Sequence, residues 1–285
     1  MEHQDSLILH VLGSKGFIGS NIITYLDEHG LHGVGHESID SFRNWIANSS
    51  HSDRSSSSAV WAIGKISPFL AEHRADLVYE EVETFRNFLA DDHFRKIPLT
   101  LLSSGGCAYS DQSIFEMVET AEAKGINAYG RAKVAMEELL LKSGSNGNIL
   151  RLGNVYGASA VPRKGQGVIS HWLSDWREDR PIKIFGALDL KRDYIHISDV
   201  CQAIYLSQAG AYNHEVFNVG TGKGTDLQTL KGYLDDLLGE VLEAEHLPGR
   251  AEDAFSYWLN TQKFSLAFNW KPRVSLKDGI ADFLI

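Results

Sequence analysis

The chain reads as an α/β protein, a doubly wound and mainly parallel sheet with a smaller C-terminal lobe. Three observations predict this. Short apolar runs alternate with segments of helical period up to about residue 155. A glycine-rich turn follows the first apolar run at once, and the alternation becomes mixed further on. Such alternation implies parallel strands joined by right-handed helical crossovers.

Leu7-Ile8-Leu9-His10-Val11-Leu12 has the length and apolar character of a buried strand. Glycines follow, and Phe17 to Leu26 reads as a helix. A second strand is expected around Gly33 to His36, then a short helix at Phe42 to Ala47. The serine-rich run from Ser49 to Ser58 reads as a flexible excursion, because apolar strand pattern resumes only at Ala59-Val60-Trp61-Ala62-Ile63. Leu77, Val78, Val82, Phe85, Phe88 and Leu89 mark a long helix over Ala75 to Ala90. A strand at Leu99 to Leu102 ends in Ser103-Ser104-Gly105-Gly106, a helix spans Tyr129 to Lys142, and Asn148 to Leu152 forms the next strand. The expected division is a sheet domain of residues 1–155 plus about 191–219, with about 156–190 plus 220–285 forming the lobe.

Composition removes several classes of function. The 285 residues carry 27 Lys and Arg against 37 Asp and Glu, a net charge of −10, so the diffuse positive field of a nucleic-acid binder is absent. No apolar run approaches the roughly 20 residues of a membrane span, and Met1 to Asp5 is polar, without signal-peptide character. Two cysteines, Cys107 and Cys201, make no disulfide framework, and no Cys/His cluster has metal-ligand spacing. The expectation is a cytoplasmic protein with no metal, no nucleic-acid partner and no membrane partner.

Gly13-Ser14-Lys15-Gly16-Phe17-Ile18-Gly19 is G-x-x-G-x-x-G between a strand and a helix. Glycines there permit a tight turn and close backbone approach, so a dinucleotide pyrophosphate can sit on the helix N-terminus, as in Rossmann sheets. Glu37, beyond the second strand, supplies an acid for the adenosine ribose hydroxyls, favouring NAD over NADP. Tyr129 and Lys133 stand at i and i+4, on one helical face. An ammonium beside a phenol favours the phenolate and brings the tyrosine toward a useful working range. The same lysine can hold the nicotinamide ribose. Ser103 and Ser104, at a strand end in the expected crevice, are candidate donors to the reacting oxygen. Of these Ser104 is preferred, with Ser103 and Cys107 in reserve, although a buried cysteine is more simply a small apolar residue.

These motifs resemble the extended short-chain dehydrogenase/reductase group, in particular the NAD-dependent epimerase/dehydratase family acting on nucleotide sugars. The resemblance continues through Trp61-Ala62-Ile63-Gly64-Lys65, Arg151 to Gly157, Arg192-Asp193-Tyr194-Ile195-His196-Ile197-Ser198-Asp199-Val200, Phe217 to Gly222 and Trp270 to Ile280. It implies cofactor contacts from Gly13, Gly16, Phe17, Ile18, Gly19, Ala62, Lys65 and Ser103, and a homodimer built on helices of the cofactor domain. It implies a nucleotide-diphosphate sugar as substrate, held by Asn154, Arg192 and Arg250, the last in Arg250-Ala251-Glu252-Asp253. Discrete guanidinium forks suit a dianion on a protein of net negative charge.

Two departures shape the expected reaction. Between Glu37 and Val60 the chain is short for the usual third strand. Just before Tyr109, where family dehydratases carry an acid that shuttles protons, stand Gly106 and Cys107, which disfavours dehydration. The expectation is a nucleotide-sugar 4-epimerase working by transient hydride transfer to bound NAD. A nucleotide 4-ketosugar reductase using NAD(P)H, or a non-catalytic dinucleotide sensor, is the alternative.

Overall fold

The computed structural model describes residues 7–111, 115–158, 160, 167–208, 212–249 and 255–284. The first half runs β1 (Ile8–Leu12), α1 (Phe17–Glu28), β2 (His32–His36), α2 (Ile39–Asn48), α3 (His51–Ser55), β3 (Ser57–Trp61), α4 (Pro68–His73), α5 (Ala75–Ala90) and β4 (Leu99–Ser104). A single helical turn, α6 (Gly105–Ala108), leads to β5 (Glu116–Met117), α7 (Ala128–Lys142), β6 (Gly147–Leu152) and β7 (Asn154–Tyr156). Then come α8 (Val168–Arg177), β8 (Ile182–Phe185), β9 (Lys191–His196), α9 (Ile197–Gln208), β10 (Val216–Val219) and β11 (Gly224–Asp226). The chain ends with α10 (Leu227–Leu238), β12 (Ala244–Leu247), β13 (Trp258–Leu259), α11 (Gln262–Phe268) and α12 (Leu276–Ala281).

Six strands form one sheet in the order β2-β1-β3-β4-β6-β10, every neighbouring pair parallel. Both faces are covered, as all-parallel sheets require. On one face Ile22 and Leu26 of α1, Val200 and Ile204 of α9, and Phe264 of α11 pack with Leu9, Val11, Val60 and Leu150. On the other, Phe42 of α2, Phe85 and Phe88 of α5, and Met136 and Leu140 of α7 pack with Leu12, Trp61, Leu101 and Ile149. A separate core gathers Trp172 and Leu173 of α8, Ile182 and Ile184 of β8, Leu230 and Leu234 of α10, and Ile280 of α12. No helix among the described residues is long and apolar enough to cross a membrane.

The serine-rich run is not a flexible excursion. Ser50 caps α3 through a reciprocal pair with Asp53, and Ser57 and Ser58 lie buried in β3. Ser57 donates to the Asp53 carbonyl at 2.6 Å, so a hydroxyl satisfies itself locally inside the sheet. Two helices and no strand connect β2 to β3, so the sheet edge is β2, in line with the shortness of this stretch. Beneath α2, fully buried His10 lies with Nδ1 2.9 Å from His36 Nε2, and its Nε2 is 3.2 Å from Ser57 Oγ. Burial pushes His10 down to about 3 and His36 down to about 4, His10 being lowered further by His36.

Candidate active site

The chain leaves β1 for β2 at the edge and returns to β3 on the other side of β1. That reversal opens a crevice at the carboxyl ends of β1 and β3, the ordinary ligand site of a doubly wound sheet. The glycine loop fills its floor. Gly13 has φ +89° and donates to the His36 carbonyl at 2.9 Å. A Cβ on Gly13 would stand 2.9 Å from the Ala62 carbonyl, and one on Gly19 only 2.2 Å from the Gly13 oxygen. Gly16 caps α1 without a side chain, and the first turn, Phe17, Ile18 and Gly19, carries no acid. A bare N-terminus of a twelve-residue helix, cradled by glycines, fits a pyrophosphate. Glu37 stands beside this loop in an exposed ion pair, 2.8 Å from Lys15 Nζ.

Across the sheet, α7 turns Tyr129, Lys133 and Glu137 inward as one stripe. Asn127 starts the helix by accepting from the Gly130 N–H at 2.7 Å. Glycine is needed at position 130, because a Cβ there would lie 2.0 Å from the Cys107 carbonyl. The α6 turn is thereby seated against the start of α7, and Asn127 Nδ2 meets Cys107 Sγ at 3.7 Å. Lys133 is buried, its Nζ 5.4 Å from the centroid of the half-buried Tyr129 ring.

The expected lowering of the phenol is not what the surroundings produce. Burial raises Tyr129; Lys133 opposes this, while Cys107 and Glu81 add to it. Burial is the main cause, and a carboxylate that sequence reading did not single out adds to it. Glu81 of α5 accepts from Lys133 Nζ at 3.0 Å and so shares the field that would otherwise act on the tyrosine.

The other candidates fall into two groups. Ser103 is buried and donates to Glu137, which also holds the buried Arg151 guanidinium in a two-pronged pair at 2.6–3.2 Å. Its proton is therefore committed. Ser104 is half-buried and makes no side-chain hydrogen bond to the described residues, which leaves its hydroxyl the more available. Lys65 turns its ammonium to Glu80 at 2.5 Å on the exposed side of α5, while its backbone N–H donates to Glu81.

Asn154 and Arg192 are brought together by a residue that sequence reading missed. Tyr257 donates to Asn154 Oδ1 at 3.0 Å, and Arg192 lies over its ring at 5.4 Å. The same hydroxyl sits where a side chain on Gly106 would be, 2.2 Å from its Cβ position, which explains that glycine. Arg250 lies outside the described residues.

A crevice floored by a glycine loop and a tyrosine–lysine stripe on a six-stranded parallel sheet are the features of an extended short-chain dehydrogenase/reductase. Residues 9–220 match the NAD dependent epimerase/dehydratase family, and the chain belongs to that family of enzymes. It is 27% identical over 305 residues to the UDP-glucose 4-epimerase of Mycolicibacterium smegmatis, covering 95% of each chain. It is 31% identical over 207 residues to the dTDP-4-dehydro-6-deoxyglucose reductase of Escherichia coli, a match that takes in 71% of this chain and 64% of that protein. In fold it is similar to the UDP-glucose 4-epimerase of Thermotoga maritima solved with UDP-glucose, with a TM-score of 0.82 at 23% identity, over 98% and 97% of the two chains.

Proposed function

We propose that the protein is a nucleotide-sugar 4-epimerase that uses NAD. The observation that carries this is the Lys133 ammonium beside the Tyr129 ring, joined through Glu81 to the segment leaving β3 at the crevice. The Gly13–Gly19 loop and the N-terminus of α1 would hold the pyrophosphate, Glu37 the adenosine ribose and Lys133 the nicotinamide ribose. A nicotinamide coenzyme, when bound, supplies a hydride acceptor that becomes a donor.

Tyr129 takes the proton of the reacting sugar hydroxyl as that carbon is oxidised and returns it when the carbon is reduced. Ser104 donates to the same oxygen, with Ser103 and Cys107 as weaker candidates. Asn154 and Arg192, with Arg250, hold the diphosphate, so the sugar can turn while the nucleotide stays fixed. The partner is then a nucleotide-diphosphate sugar and the assembly a homodimer, as the family resemblance implies, and a net charge of −10 supplies no diffuse positive field for nucleic acid.

A 4-ketosugar reductase is the second reading. It is favoured by the Tyr129 phenol being held protonated, the form that donates to a carbonyl oxygen, and by the compact connection from β2 to β3. A dinucleotide sensor would have no use for the Tyr129–Lys133 pair. Denaturing the purified protein and assaying the supernatant for NAD separates the first two readings. The epimerase releases NAD and interconverts a UDP- or dTDP-sugar without added coenzyme. Stoichiometric consumption of NADH or NADPH with a dTDP-4-keto-6-deoxy sugar would replace it by the reductase, and no turnover of any sugar nucleotide would overturn both.

A further inference from the structure

Glu81 is 2% exposed, in a helix whose neighbouring acids Glu80 and Glu83 reach solvent or surface partners. All its bonding capacity points inward. Oε1 accepts from Lys133 Nζ at 3.0 Å, while Oε2 accepts from the backbone N–H groups of Lys65 and Ile66 at 2.8 and 3.1 Å. One carboxylate thus ties α7 to the strand exit that forms the crevice wall. A buried ammonium tends to lose its proton, because burial disfavours the charged form. Lys133 is buried with its side chain 7% exposed, and Glu81 is its one ion-pair partner among the described residues.

We propose that Glu81 is a positioning residue of the active site, the counter-ion that keeps the buried Lys133 charged and fixed against the β3 exit. This rests on reading Tyr129 and Lys133 as the proton-transfer pair. The groups facing that pair are Glu81 of α5, Cys107 of α6, Glu137 of α7 with Arg151 of β6 behind it, and Glu72 of α4, which accepts from the Ala128 N–H at 2.6 Å. Lys133 is held above the usual lysine range: burial lowers it, and Tyr129, Glu81 and Glu137 together outweigh that.

The test is an NMR titration of protein labelled at lysine ¹³Cε, with the Lys133 signal assigned by its loss in Lys133→Met. In the unaltered protein Lys133 should stay an ammonium through the ordinary lysine range. In Glu81→Gln its midpoint should fall by about two pH units or more, and Glu81→Asp, which keeps the charge, should restore most of the shift. NADH affinity in Glu81→Gln should also weaken between pH 7 and 9, where the unaltered protein stays level. A Lys133 midpoint untouched by Glu81→Gln overturns the proposal and leaves Glu81 merely structural. If the Gln variant does not fold, a Lys133 midpoint at or below the ordinary lysine range in the unaltered protein overturns it instead. Tyr129→Phe separates the two readings: full turnover there refutes the tyrosine, whatever Lys133 does, while an inactive Phe variant together with a Lys133 midpoint unmoved by Glu81→Gln refutes Glu81 alone.

Discussion

Gly19→Ala places a methyl group where the fold has no room. The new Cβ would stand 2.2 Å from the Gly13 carbonyl oxygen, against a C···O contact of about 3.3 Å, so loop and helix must part by roughly 1 Å. The loop cannot retreat freely, because the Gly13 N–H is held by the His36 carbonyl at 2.9 Å. Overpacking of this kind costs about 1–3 kcal/mol, and alanine in place of glycine within α1 returns about 1 kcal/mol. The net loss is then about 0–2 kcal/mol, a fall in Tm of at most roughly 8 °C. The larger effect should be on the coenzyme, since the helix N-terminus moves relative to the loop. NADH affinity, read by fluorescence titration, should fall tenfold to a hundredfold, in keeping with the cost of about 1 Å of misplacement. An alanine variant with unchanged NADH affinity would refute the assignment of this loop to the pyrophosphate.

The other predictions concern charge. His10 and His36 titrate near 3 and 4 when folded and near 6.5 when unfolded, so the unfolded chain binds more protons between those values and stability falls as pH drops below 6.5. Each costs about 2 kcal/mol at pH 5 relative to neutral pH. Urea unfolding should show that decline, and a His10→Gln/His36→Gln variant that declines equally would contradict it. Glu137→Gln leaves the buried Arg151 guanidinium without its counter-charge and should destabilise by about 3–5 kcal/mol in the same assay; a loss below about 1 kcal/mol would disprove that role. Glu37→Ala removes the ribose acid and frees Lys15 for a 2′-phosphate, so the ratio of NADH to NADPH affinity should drop at least tenfold; an unchanged ratio would show that Glu37 does not face the ribose.

Where apolar periodicity or glycine spacing carried the signal, the sequence was read nearly to the residue: α5 falls on Ala75–Ala90 and α7 starts one residue before Tyr129. The stretch from Ser49 to Ser58 was misread because its order comes from hydroxyls that bond locally, as Ser50 with Asp53 and Ser57 with the Asp53 carbonyl, and hydroxyls leave no hydrophobic pattern. Glu81 was invisible for a related reason. In the run Glu80-Glu81-Val82-Glu83 nothing local marks the middle acid as buried; its partner is 52 residues away. Tyr257 meets Asn154 across 103 residues, a contact only the tertiary fold defines. The Tyr129 phenol is raised where the sequence suggests lowering, because the lysine is legible at i+4 while the burial of the ring, the larger cause, and the Glu81 counter-ion are set by the tertiary fold.

The central claim is that Tyr129 moves the proton at the reacting sugar carbon. It is tested most directly by comparing Tyr129→Phe with the unaltered protein on a panel of UDP-, GDP- and dTDP-sugars, with and without NADH, and measuring NADH affinity alongside. The account predicts that at least one sugar nucleotide is turned over, and that the phenylalanine variant does so about a hundredfold to ten-thousandfold more slowly while binding NADH within twofold of normal. A variant lacking the phenol that turns over the same substrate at the full rate would contradict it.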